Sequence, residues 1–125
     1  MINSIKIDEK EDTPKVIFDP SNNFFEISGR SLPEDAILFY EPILTWLTEY
    51  SNNPNILTEL HIKLNYFNTA SSKLILDILM ILEDMVENNK QCVIKWYFEK
   101  DDEDMEEAGE EYSDLIDVPF KLIKY

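Results

Sequence analysis

"LTELHIKLNYFNTASSKLILDILMILEDMVENN", residues 57–89, changes its hydrophobic period part-way along. In the first third Leu60, Ile62, Leu64 and Tyr66 alternate with His61 and Lys63, which is the period of a β-strand with one buried side. From Lys73 onward the period is that of a helix. On a wheel at about 100° per residue, Leu74, Ile75, Ile78, Leu79, Leu82, Met85 and Val86 share one sector of roughly 140°, which has to face a sheet. Lys73, Asp77 and Asp84 fall opposite, and Asn88 and Asn89 close the segment. Strand, polar junction, helix is the unit from which the remainder can be read.

Working outward, "KVIFD" (Lys15 to Asp19) and "FFEIS" (Phe24 to Ser28) are apolar runs separated by "PSNN", a hairpin signal. Ile5 and Ile7 can add a strand edge before them. A helix follows, starting around Leu32, Pro33, Glu34 and Asp35 with Ser31 as candidate cap. Pro42 lies inside it and is expected to kink or split it. Asn52, Asn53 and Pro54 end it. After the central unit come a strand over Cys92 to Glu99, an acidic helical segment expected to break or bend near Gly109, and a strand over Phe120 to Lys124. Strands that alternate with helices imply an α/β fold with a mixed sheet of about five strands, helices packed against it and right-handed crossovers. A chain of 125 residues suits one domain over 1–125.

Composition excludes several functions. Eleven Lys and Arg against 26 Asp and Glu give a net charge of −15. Such a surface repels nucleic acid and anionic membranes and favours protein partners with basic patches. No apolar stretch approaches the roughly 20 residues that span a bilayer. The N-terminal residues lack the apolar core of a signal peptide, so a cytoplasmic protein is expected. Two glycines leave no phosphate-cradling loop, and one His with one Cys cannot build a zinc site. Counted from Asp101, the acidic run has Glu106 and Tyr112 where a calcium loop needs Gly and Glu. No catalytic group, cofactor or metal is expected. Cys92 reads as a small buried hydrophobe and His61 as a partly exposed strand residue.

The junction itself holds Asn68, Thr69, Ser71 and Ser72. Such residues cap helix starts, each contributing about 1 kcal/mol. They also sit where backbone amides and the helix dipole favour a phosphate. On the same wheel Leu76 and Met80 lie outside the core sector, on a flank with Glu83 and Glu87, and Thr69 lies over that flank. A phosphate there would place nearly two negative charges beside an apolar docking surface.

At these residues the chain resembles the SiaC family of bacterial regulatory phosphoproteins, which share an architecture with STAS-domain anti-sigma-factor antagonists. The resemblance runs through "TPKVIFD", the Gly29-x-Ser31-x-Pro33-Glu34 turn and the helix with Trp46, through "LNYFNTASSK", and through "VIKWYFEKDDEDMEEAGEE". It implies a non-enzymatic switch in a partner-switching module. The Thr after the motif Asn is phosphorylated by a Ser/Thr protein kinase and dephosphorylated by a PP2C-like phosphatase. The unphosphorylated form binds and activates a target such as a diguanylate cyclase. By position the acceptor is Thr69, with Asn68, Ser71 and Lys73 as motif and cap residues and Leu76, Met80, Glu83 and Glu87 as partner contacts. Ala70 departs from the motif, where the family has a Ser. The alternative is a STAS-like module for a small ligand or another protein, with Thr69 only a helix cap.

Overall fold

Alternation of apolar and polar residues builds most of the sheet in the computed structural model, which describes residues 2–125. Strands β1 (Ile5–Ile7), β2 (Lys15–Asp19) and β3 (Phe24–Ser31) pair antiparallel. The 3-10 turn Pro20–Asn22 joins the last two, with Asn23 at φ 51° closing the hairpin. Helix α1 (Ala36–Tyr50) leads to β4 (Leu57–Phe67), α2 (Thr69–Glu87) to β5 (Gln91–Phe98), and α3 (Glu103–Leu115) to β6 (Phe120–Lys124). Strands β3 to β6 run parallel, and the spatial order is β1-β2-β3-β4-β5-β6. The fold is mixed α/β as expected, with six strands rather than about five because Ile5–Ile7 does join the edge.

All three helices cover one face of the sheet. Val16, Phe18, Phe25, Ile27, Leu60, Ile62, Ile94 and Trp96 point into that layer, each at most 2% exposed. From the helices, Ile43, Leu47, Leu74, Ile78, Leu79 and Leu82 meet them. The predicted sector of α2 is buried throughout except Val86, which is half-buried. Cys92 is buried, as read from sequence. An aromatic cluster of Phe18, Phe25, Trp46 and Tyr50 fills the β2–β3–α1 end, with Trp46 and Tyr50 stacked at 5.2 Å.

Four local expectations are corrected. Tyr66 does not face the core: β4 skips one residue against β3, pairing Leu64 with Gly29 and Tyr66 with Arg30, so Asn65 is a bulge. The bulge inverts the alternation, turning Tyr66 outward and Phe67 inward. Opposite it Gly29 takes φ 107°, a conformation open to glycine, and a Cβ there would meet the Glu9 carboxylate. Ser31 is not the cap of α1 but the buried last residue of β3; Asp35 caps, accepting from the Leu38 amide at 3.1 Å. Pro42 does not split α1, which runs unbroken through it. Gly109 does not break α3 either. It lets the helix settle on β5 and β6, since a Cβ there would lie 2.5 Å from both Trp96 Cδ1 and Leu122 Cδ2.

Candidate functional site

Because β3 and β4 are parallel neighbours, the helices that follow them start at the same edge of the sheet. Here the hydroxyls of the junction separate into different roles. Asn68 is the cap of α2: its Oδ1 accepts from the Ser71 amide at 2.9 Å, and its own amide donates to the Ser31 carbonyl at 3.0 Å. Ser71 is fully buried, with its Oγ 2.8 Å from Ser31 Oγ and donating to the Ser31 carbonyl at 3.1 Å. Ser31 Oγ lies 2.7 Å from the Tyr40 hydroxyl, so a chain of hydroxyls pins α2 to β3 and α1. Burial pushes the Tyr40 hydroxyl up to about 12, so the chain stays protonated and neutral.

Ser72 is committed on the other side. The Tyr112 hydroxyl donates to the Ser72 carbonyl at 2.8 Å and approaches its Oγ at 3.4 Å, tying α3 to the first turn of α2. Burial raises the Tyr112 pKa, the bond to Ser72 lowers it, and the neighbouring Glu111 charge raises it. Thr69 differs from both serines. It is the first residue of α2, exposed, and its hydroxyl bonds to no protein atom among the described residues. The reading of Thr69 as the helix cap is thereby corrected, since Asn68 holds that position. Ala70 is exposed beside it.

Thr69 stands on the rim of a groove of about 390 Å³ between α2 and α3. Phe67, Leu76, Ala108, Tyr112 and Leu115 supply its apolar lining, and Lys73 and Glu111 its charges. Leu76 is therefore brought to Thr69, as expected. Met80 lies further along α2, 47% exposed. Glu83 accepts from the Asp117 amide at 2.7 Å, which fastens the α3–β6 loop to α2. Glu87 is exposed at the end of the helix. The second wall of the groove, Tyr112 and Leu115, was not anticipated. The spacing of Met105, Gly109, Tyr112 and Ile116 marks one buried stripe of α3 and could have pointed to Tyr112.

Comparison with known proteins places the chain. A family model described as SiaC family regulatory phosphoprotein matches residues 7–125. The chain belongs to the SiaC family. Against SiaC of Pseudomonas aeruginosa the fold superposes with a TM-score of 0.91 at 22% identity, covering 99% of this chain and all (100%) of that one. A second structure, of the diguanylate cyclase SiaD in complex with its activator SiaC from the same organism, matches with TM-score 0.91 and 24% identity, covering 97% and 99%. An uncharacterized protein of P. aeruginosa strain UCBPP-PA14 is 24% identical over 121 residues, 97% of this chain and 96% of that protein. As a SiaC-family member this chain is a regulatory protein rather than an enzyme. Among the described residues no helix is long and apolar enough to cross a membrane.

Proposed function

We infer that this SiaC-family chain is a cytoplasmic phospho-switch in which Thr69 is the acceptor. The observation that carries the reading is the contrast among neighbouring hydroxyls: Ser71 and Ser72 are bonded inward, whereas Thr69 is exposed and unbonded beside an apolar groove. A kinase can reach such a hydroxyl without unfolding the helix. A phosphate on it stands at the N-terminus of α2, where the dipole and the Thr69 and Ala70 amides favour negative charge. The fold therefore tolerates the modification, and the change is felt at the surface.

The description of the family as regulatory phosphoproteins supports the partners that the resemblance implies. A Ser/Thr protein kinase adds the phosphate, a PP2C-like phosphatase removes it, and the unphosphorylated form engages a target through Leu76, Met80, Glu83 and Glu87. SiaC of P. aeruginosa is the activator of the diguanylate cyclase SiaD, which supports a diguanylate cyclase as the target class and cyclic di-GMP as the output. A target fitted to a neutral hydroxyl would have to desolvate the phosphate without compensation, and a few kcal/mol of such penalty is about a hundredfold or more in affinity.

Incubation with the partner kinase and ATP, followed by site mapping by mass spectrometry, tests the acceptor. Titration of the target then tests the switch. Thr69→Ala is expected to bind constitutively and Thr69→Asp to bind more weakly, with only part of the effect of a phosphate. A phosphate found on Ser71 or Ser72, or equal binding by the two variants, overturns the proposal. One observation favours a second reading as a ligand-binding module: the groove beside Thr69 has the volume of a small-molecule site.

A further inference from the structure

The helices leave the other face of the sheet open, and that face has a charge unlike the rest of the molecule. Side chains alternate across the strands, so Lys6, Lys15, Arg30, Lys63, Lys95 and Lys121 stand on the face away from the helices. They are six of only eleven basic residues in the chain. The carboxylates on the same strand positions are Asp19, Glu26 and Glu59. Two of these are already engaged: Lys15 lies 3.7 Å from Glu26, and Lys95 lies 2.9 Å from Glu59. Formally the open face is positive, while all remaining surface is more negative than the overall −15.

An aromatic row crosses the same face. Phe24, His61, Tyr97 and Tyr125 follow one another across β3, β4, β5 and the end of β6, with ring centroids 6.2, 5.8 and 6.3 Å apart. His61 Nδ1 lies 2.9 Å from the Tyr97 hydroxyl, which fixes the middle of the row. Lys63 Nζ rests 5.3 Å from the Tyr97 ring centre and 5.0 Å from that of Tyr125, so its charge is held at the surface. Phe24 and Tyr125 remain 39% and 48% exposed at the two ends. Exposed Tyr and Phe are enriched at protein-docking surfaces, and the cations around them add steering of an oppositely charged partner.

We propose that this open sheet face, centred on Lys63, Tyr97 and Tyr125, is a second docking surface for a short acidic segment of a partner protein. Charge complementarity selects the occupant. A basic segment meets repulsion here and attraction everywhere else. A long polyanion such as nucleic acid has to cross the acidic rim, which cancels what the face offers. A second copy of the chain brings a further −15. A short acidic peptide lying along Lys63, Lys95 and Lys121 meets six cations against Asp19, Glu26 and Glu59, a net attraction. Glu99 and Asp102 beside Tyr125 mark where the positive face ends. The surface is separate from the Thr69 groove, which lies on the helix side, so one partner can occupy each.

The test is an amide chemical-shift titration of the full chain with a synthetic octapeptide alternating Glu with Tyr and Phe. Saturable shifts are expected at Lys63, Tyr97, Lys121 and their strand neighbours. Affinity should fall about tenfold or more in Lys63→Glu/Lys121→Glu and weaken with salt. Because both lysines stand on the open face, that variant should keep its melting temperature, and Tyr97→Ala provides a charge-neutral second variant. Absence of shifts on this face, or binding unchanged by the charge reversal, overturns the proposal. Tighter binding of an oligothymidylate or of phosphatidylserine vesicles at the same amides, or self-association mapped there, overturns the identity of the occupant.

Discussion

Asn68 and Ser71 close the start of α2 between them, the Asn68 side-chain oxygen accepting from the Ser71 amide at 2.9 Å. Thr69, enclosed by that bond in sequence, takes no part in it. Asn68→Ala is therefore expected to lower stability by about 1 kcal/mol, the usual loss for a helix cap. Thr69→Ala should stay within about 0.5 kcal/mol of the parent, as for an exposed substitution away from a structural feature. Denaturant unfolding of the two variants decides it, and a larger loss for Thr69→Ala would return the cap to Thr69.

Adjacent residues of α2 should separate folding from binding. Leu79 is fully buried and Met80 is 47% exposed. Leu79→Ala should cost about 2–5 kcal/mol, because it removes a core side chain and leaves a cavity. Met80→Ala should change stability by less than about 1 kcal/mol and weaken target binding. Thermal melts beside a target titration provide the check.

Gly109→Ala tests close packing against helix propensity. In an open helix the change would stabilise by about 1 kcal/mol. Here the new methyl meets the Trp96 ring and Leu122, and Trp96 is fully buried with its Nε1 donating to the Met105 carbonyl at 2.9 Å. The ring cannot swing aside without giving up that bond, so α3 has to lift. A net loss of about 1–3 kcal/mol is expected, with a change in tryptophan emission.

Alkaline pH should unfold the domain by a defined route. Burial pushes the Cys92 thiol up to about 11 from 9.0 and the Tyr40 hydroxyl up to about 12 from 10.0. Both groups are held in their protonated form by the fold and lose protons first in the unfolded chain. Their contribution is complete below about pH 9 and is lost as pH rises toward the folded values. The urea midpoint should thus be level between about pH 7 and 9 and then fall. The fall should be shallower between about pH 9 and 11 in Cys92→Ala, where one of the two groups is gone.

What could be read from sequence was whatever depends on a regular period. The buried sector of α2 and the bounds of β2 and β6 follow from spacing alone. The failures share a cause in contacts between distant segments. Asn65 carries no mark of a bulge, yet its unpaired position moves Tyr66 out and Phe67 into the groove. Gly109 looks like a weak point in a helix until Trp96 is known to lie under it. Ser31 has the chemistry of a cap, but Tyr40 and Ser71 claim its hydroxyl. For the site, the resemblance singled out Thr69, and the wheel placed Leu76 near it. The wall supplied by Tyr112 and Leu115 needed the packing of α3.

The strand order β1-β2-β3-β4-β5-β6 repeats the order of synthesis. Each strand after the first therefore finds its neighbour already outside the ribosome, and none waits for a later segment to insert. Such a sheet can zip up as the chain emerges, with little exposure of unpaired edges to other nascent chains. Helix α3, which emerges after β5, is also the element that forms the second wall of the groove beside Thr69. A product truncated before Glu103 would display the Thr69 hydroxyl without its groove, so that surface exists only once α3 has packed onto α2 and the sheet.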